Sequence, residues 1–330
     1  MTALAPTLEA FFVERLINQK DASPRTIAAY RDTLKLLLRY ASERTGKQPS
    51  KLDFADLDAP LISAFLDHLE HERGNTARTR NARLAAIHSL YRFSALRHPE
   101  HAHTIARVIE IPTKRHTRPL LCYLDVPEIT AVLAAPNRAS WLGRRDHALL
   151  LTAIMTGLRV SEVTSLRLQD VSLKRPGAHC RVIGKGRKTR TASLTPETVA
   201  ILREWLRERK GDPADPVFPT RQGDPLTPRG VAWLLDKHVA TATIQCPSLA
   251  GKRVTPHVLR HTNAMLLRAK KVDILTIALW LGHESASTTE VYLHADNTIK
   301  QEAINRITPT GTAPGRCQPS DAVIAFLDQL

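Results

Sequence analysis

Only one stretch of this chain breaks a helical pattern. Between residues 168 and 194, the strings LQDVSL, CRVIG and RTASL are short and rich in β-branched residues, with GKGRK separating the last two. Runs of that length around a glycine-flanked turn build a small antiparallel sheet with a tight hairpin at Gly184–Lys188. The segments on either side read as helices. The fold class is therefore mainly α with a small antiparallel sheet, an α+β arrangement.

Ahead of the sheet, Ser23 and Pro24 supply an N-cap and a proline in the first helical turn. Ile27, Tyr30, Leu34, Leu37 and Leu38 then recur at helical spacing as one apolar stripe. Thr7–Gln19 carries Leu8, Phe11, Phe12 and Leu16 on one side. Pro60–His71 and Thr76–Leu96 follow, separated by the turn signal Gly74-Asn75. These four short helices predict a small bundle over residues 1–113. The polar RHPEHAH and the two-proline IPTKRHTRP mark residues 97–119 as a boundary. Such a basic connection either crosses a phosphate backbone or is simply solvated.

Beyond the boundary, Asp125 and Glu128 have the spacing of a capping box, and a helix should run to about Ala135. Arg144–Thr156 predicts a buried helix stopped by Gly157, and Val160–Leu166 another short one. After the sheet, helices are expected at about 196–209, 228–241, 257–269, 272–280, 285–293 and 297–306, within a second domain of residues 114–307. Residues 308–330 form a tail: a Pro/Gly-containing arm at Thr308–Ser320, then Asp321–Leu330 with Val323, Phe326, Leu327 and Leu330 on one face. A helix that short needs a partner surface, either its own domain or a neighbouring subunit.

Charge narrows the partner. There are 47 Lys plus Arg against 32 Asp plus Glu, a formal +15. Residues 1–110 are net +3 and residues 111–330 net +12, so the excess lies in the C-terminal two-thirds. A polyanionic partner is favoured, since phosphate contacts dominate nucleic-acid affinity. The second and fourth helices have basic outer faces, Arg25, Arg31, Lys35 and Arg39, then Arg78, Arg80, Arg83 and Arg92, and of these Arg25, Arg31, Lys35, Arg78, Arg80 and Arg83 are the candidate phosphate contacts. The connection adds Lys114, Arg115 and Arg118, and the hairpin, where Arg181 also lies, adds Arg187, Lys188 and Arg190. Solvated charge is the ordinary alternative for such faces.

Three further features bound the class. No apolar run approaches the roughly 20 residues of a membrane span. The first residues, MTALAPTLEAFF, lack the basic start and apolar core of a signal peptide. Cys122, Cys180, Cys246 and Cys317 lie far apart with no C-x-x-C pair. A cytoplasmic protein with reduced thiols and no membrane association is expected.

Four strings carry chemistry: TGLRVSEV around Arg159, GKGRKTR around Lys185, PHVLRHTNA with His257 and Arg260, and LGHESASTTEVYLH with His283 and Tyr292. Each alone has an ordinary structural explanation. Together they contain the parts of one reaction. Two guanidiniums can grip the non-bridging oxygens of a phosphodiester and stabilise charge developing at phosphorus. Imidazoles can hydrogen-bond the same oxygens or carry the nucleophile's proton. A hairpin lysine can protonate a leaving oxygen. A phenol attacks when cations and a base are adjacent. Guanidiniums then take the Lewis-acid role, and neither a metal nor another cofactor is required.

In order and spacing these motifs resemble the tyrosine recombinases, the phage integrase family, and within it the compact Xer-type and mobile-element enzymes. Arg260 is followed 23 residues later by the His283 of an L-G-H, and Tyr292 comes nine residues after that. The resemblance covers nearly the whole chain. It implies a helical core-binding domain and a catalytic domain closing on double-stranded DNA as a C-shaped clamp. It implies Tyr292 as the nucleophile, leaving a 3′-phosphotyrosyl bond and a free 5′-hydroxyl. Arg159 and Arg260 would clamp the scissile phosphate, Lys185 would protonate the 5′ oxygen, His257 would act as acid/base, and His283 would hydrogen-bond the phosphate. Glu162 would orient Arg159, Lys188 rivals Lys185, and His261 would be structural. A dimer on each site and a tetramer in the synapse would exchange strands through a Holliday junction, alone or with related recombinase subunits. The element served could be integrating, excising, transposing or resolving dimers.

Other readings are a type IB topoisomerase-like nicking and religating enzyme and a catalytically silent DNA-binding regulator. Nothing in the sequence favours the silent form, since every catalytic position is filled. His257 and His261 have the spacing of a zinc H-E-x-x-H pair, but residue 258 is Val and the general base of that motif is missing. GKGRKTR does not match the nucleotide-binding G-x-x-x-x-G-K-[ST].

Overall fold

The computed structural model describes residues 4–116, 121–174, 176–184 and 189–282. The chain divides into two compact units, Met1–Pro119 and Leu120–Leu330.

In the first unit, α1 (Leu4–Ala10) runs directly into a π-helical stretch at Phe11–Gln19. It is followed by α2 (Pro24–Thr45), α3 (Ala59–His71), α4 (Ala77–Ser94) and α5 (Ala102–Ile109). Local chemistry sets the ends of α2. The Ser23 hydroxyl accepts from the Thr26 amide at 3.1 Å, Pro24 occupies the first turn, and Gly46 closes the helix in the left-handed conformation. Leu34 and Leu37 of the expected stripe are buried, and Ile27, Tyr30 and Leu38 are partly buried against the same core. Phe11, Phe54, Phe65 and Tyr91 fill the centre. Tyr91 keeps its hydroxyl satisfied there by donating to the Leu57 carbonyl at 2.5 Å, and burial pushes its pKa up.

Two expectations need correction. Residues 97–119 are not merely a connection, because α5 lies within them and buries Ile105 and Val108 in the bundle. The polar residues around that short apolar pair hid it. Arg80 does not belong to a solvated face. It is 6% exposed, with its guanidinium 3.5 Å from the Glu70 carboxylate and bonded to the Pro112 carbonyl.

The second unit opens with α6 (Val126–Ala134), and both bonds of the Asp125/Glu128 capping box are present. Next come α7 (Trp141–Thr156) and α8 (Val160–Ser165). The first of these begins three residues earlier than its apolar pattern suggested, because Ser140 caps it through the Gly143 amide. The sheet is β1 (Val171–Ser172), β2 (His179–Ile183) and β3 (Thr189–Ser193), antiparallel in sequence order. Cys180 pairs with Ala192 and Val182 with Arg190. Cys180, Val182 and Ala192 are buried in the core, so Arg190 shares the inward face. Four helices follow: α9 (Pro196–Arg209), α10 (Pro228–Thr243), α11 (Pro256–Ala269) and α12 (Ile274–Leu281). The helices expected at 285–293 and 297–306, the tail 308–330 and the hairpin tip 185–188 lie outside the described residues. Among the described residues, no helix is long and apolar enough to cross a membrane.

Candidate active site

Two glycine-capped helix ends frame the site. Helix α7 stops at Gly157 (φ +63°) and α12 at Gly282 (φ +65°), both left-handed, a conformation that side chains disfavour. There is also no room for side chains. A Cβ on Gly157 would lie 2.5 Å from Leu281 Cδ2 and 2.8 Å from Asn263 Oδ1. One on Gly282 would lie 2.5 Å from Arg190 Nε.

Arg260, in the second turn of α11, joins these two ends. Its Nη1 donates to the Gly157 carbonyl at 2.7 Å and its Nη2 to the Leu281 carbonyl at 2.6 Å. The residue is only 2% exposed, so its charge sits in a nearly closed polar pocket. On the same helix, Asn263 Nδ2 donates to the Met155 carbonyl at 2.9 Å, tying down the last turn of α7.

Arg159 lies two residues after Gly157, at the N-cap of α8. Its extended backbone turns the side chain away from the helix, where Nη2 donates to the Gly282 carbonyl at 3.1 Å. The two arginines thus bond to consecutive carbonyls, Leu281 and Gly282, at the end of α12. Sequence places His283 directly after them.

Glu162 organises this cluster from below. It is 3% exposed, and a bare carboxylate at that burial would be strongly disfavoured. Its Oε2 accepts from the Arg159 amide at 2.8 Å and its Oε1 from Arg159 Nη1 at 3.0 Å. Arg190 Nη2 supplies a third bond, to Oε2 at 2.8 Å. Two guanidiniums on one carboxylate leave the cluster net positive. Burial is the main influence lowering the Arg190 pKa, opposed by Glu162 and reinforced by Arg159.

His257 is exposed at the start of α11, and His261 lies one turn further in. Their rings meet edge to face at 4.6 Å. Burial first, then His257 and Arg260, lowers the His261 pKa to about 4, so its imidazole is neutral at pH 7. Among the described residues, no group of three or more His, Cys, Asp or Glu could hold a metal ion.

Of the six candidate catalytic residues, the structure places Arg159, Arg260 and His257, with Glu162 against the first. Lys185, His283 and Tyr292 lie outside the described residues. The candidate phosphate contacts separate into groups. Arg25, Lys35, Arg78 and Arg115 are exposed. Arg31 is exposed but paired with Asp32, and Lys114 bonds Glu70 at 2.6 Å. Arg83 is partly buried, 3.5 Å from Thr33 Oγ1. Arg118, Arg187 and Lys188 lie outside the described residues.

Sequence reasoning grouped Arg190 with the hairpin's surface charge; the structure places it on Glu162. Strand alternation carried that signal, since Arg190 is two residues from the inward Ala192. The roles of Asn263 and of Gly282 against Arg190 had no comparable sequence signal, because both are contacts between distant segments.

Comparison with known proteins bears on the same residues. The profile described as phage integrase family matches residues 123–298, and that described as phage integrase, N-terminal SAM-like domain, matches residues 10–98. The chain belongs to the phage integrase family. It is 50% identical to y4rC of Sinorhizobium fredii, provisionally named an integrase/recombinase, over 328 residues covering 99% of this chain and 98% of that one. It is 32% identical to tyrosine recombinase XerC of Pelobacter propionicus over 315 residues, covering 95% and 99%. Among solved structures, the XerH site-specific recombinase in a post-cleavage complex with difH matches at a TM-score of 0.69. That match has 22% identity over 87% of this chain and 81% of XerH, and so speaks for the fold. This member of the integrase family is a site-specific DNA recombinase, an enzyme that breaks and rejoins DNA strands. None of these relatives favours the topoisomerase or silent-regulator readings.

Proposed function

We propose that the chain recombines DNA through a 3′-phosphotyrosyl intermediate formed by Tyr292. The phenol oxygen would attack the scissile phosphorus, forming a P–Oη bond as the bond from phosphorus to the 5′ oxygen breaks. The phenolic proton would leave to His257 or solvent, and Lys185 would give a proton to the departing 5′ oxygen. Reversal on a different strand's 5′-hydroxyl rejoins the backbone without an external energy source. Arg159 would hold a non-bridging oxygen, Arg260 would supply fixed positive charge, and His283 would donate a further hydrogen bond.

The single observation that supports this reading is the attachment of Arg159 and Arg260 to consecutive carbonyls at the end of α12. Preorganised cations cost no rearrangement when charge develops, which is where such sites gain most of their rate. In this reading residues 1–113 grip DNA through Arg25, Lys35 and Arg78, residues 114–307 carry the chemistry, and a dimer on each site forms a tetramer in the synapse.

A nicked suicide substrate tests the nucleophile. The wild-type chain should accumulate a covalent protein–DNA adduct, whereas Tyr292→Phe should bind the same DNA and form none. An undiminished adduct in that variant would assign the nucleophile elsewhere.

A further inference from the structure

We propose that Arg190 is a positioning residue that neutralises Glu162, so that the charge of Arg159 is kept for the scissile phosphate. This rests on the recombinase reading above.

The geometry gives Arg190 three attachments, none on an open surface. Nη2 lies 2.8 Å from Glu162 Oε2, Nη1 lies 3.4 Å from the Trp280 carbonyl, and Nε and Cδ pack where a Gly282 side chain would stand. The side chain is 16% exposed and that of Glu162 is 3% exposed. Nε is buried with no hydrogen-bond partner among the described residues. A side chain held this way is poorly placed to follow a DNA backbone, although its sequence neighbours in the hairpin are basic.

Charge balance decides what it does. Glu162 fixes Arg159 through two bonds, to the backbone amide and to Nη1. With only those partners, one buried carboxylate would offset one guanidinium, and a phosphate approaching Arg159 would meet a neutral pair. Arg190 adds a second positive charge to the same carboxylate, and the trio carries net +1. Glu162 can then orient Arg159 without cancelling it. The bond to the Trp280 carbonyl also links this balance to the end of α12, where Arg159 and Arg260 are attached. Gly282 suits this arrangement, since any side chain there would displace the Arg190 guanidinium.

The test compares two substrates that differ only in charge. One suicide substrate carries the normal phosphodiester at the cleavage position, and the other a methylphosphonate, which lacks the negative non-bridging oxygen. On the phosphodiester, Arg190→Gln should form adduct about 100-fold more slowly than wild type, the scale expected for losing one preorganised charge contact. DNA affinity should fall by less than about 3-fold, because no phosphate contact is removed. On the methylphosphonate, the deficit should shrink to less than about 5-fold, because a neutral centre asks for no spare charge. An equal deficit on both substrates would make Arg190 merely structural and overturn the proposal. So would a loss of DNA affinity that matches the loss of rate, which would make it a phosphate anchor.

If Arg190→Gln does not fold, Arg190→Lys carries the same comparison, since it keeps the charge and loses the planar fork. Its deficit should be smaller and again confined to the phosphodiester; an equal deficit on both overturns the proposal. Failure of wild type to form any adduct would overturn the phosphotyrosyl reading and this role with it. A reactive wild type with an equally reactive Arg190→Gln would overturn the role of Arg190 alone.

Discussion

Gly157 has no room for a methyl group. Its left-handed φ and the 2.5 Å approach of Leu281 to a built Cβ make Gly157→Ala destabilising by about 2–4 kcal/mol. Adduct formation should fall further than stability does, because the displaced carbonyl is one that Arg260 holds. Thermal unfolding and suicide-substrate rates on the same sample separate the two effects. His261 gives a second handle. Its folded pKa of about 4 is depressed below the unfolded value near 6.5, so the unfolded chain takes up the proton first as pH falls. Stability should therefore drop between pH 6.5 and pH 4. His88 and His147, also lowered mainly by burial, add to the same slope. Urea midpoints across that window should show a shallower drop in His261→Gln. An unchanged slope in that variant would mean that His261 is solvated enough to titrate normally.

At the scale of elements, helix starts in this chain are doubly used. The Asp125/Glu128 box opens α6, but Glu128 also reaches Lys252 at 2.6 Å and Ser248 at 2.7 Å, binding that start to the segment ahead of α11. Burial alone would raise the Glu128 pKa; bonds from Lys252, the Asp125 amide and Ser248 outweigh it and hold the group below its usual value. This depressed carboxyl contributes stability above the unfolded pKa near 4.5 and loses it as pH falls through the folded value. Glu128→Gln should cost about 1–3 kcal/mol at pH 7 in denaturant titrations, through a lost charged pair at a buried position. The start of α8 repeats the device, with Glu162 capping through the Arg159 amide while holding its guanidinium. The carboxylate that caps α8 is thus also the group that aims a candidate catalytic side chain.

At the scale of the whole molecule, the net +15 is a statement about DNA, and its distribution refines it. Arg80, Arg145, Arg190 and Arg260 are buried or nearly so and bonded within the protein, so they add little to screened, long-range attraction. Exposed residues such as Arg25, Lys35, Arg78 and Arg115 remain for it. If six to ten phosphates are neutralised, affinity for a duplex should fall by about 1,000-fold or more between 50 and 200 mM salt. Fluorescence anisotropy across that range measures the slope. An Arg78→Ala variant should lower it by about one contact, whereas Arg80→Ala should change stability and leave the slope alone.

The sequence by itself determined the helical character of the described segments, the small antiparallel sheet, the capped starts of α2 and α6, and the family, through the spacing of Arg159, His257, Arg260, His283 and Tyr292. The elements are local, set by periodicity and capping chemistry within a few turns of chain, and the family follows from the order of short motifs strung along it. It did not determine which arginines carry free charge. Arg80 and Arg190 look in sequence like Arg78 and Arg187, and what sets them apart is contact with other segments, Glu70 and Pro112 for Arg80 and Glu162 and Trp280 for Arg190. Nor could it foresee that Gly157 and Gly282 would close on the side chains of Leu281 and Arg190. Burial and ion pairing depend on which distant segments the core brings together, and that was decided by the tertiary structure alone.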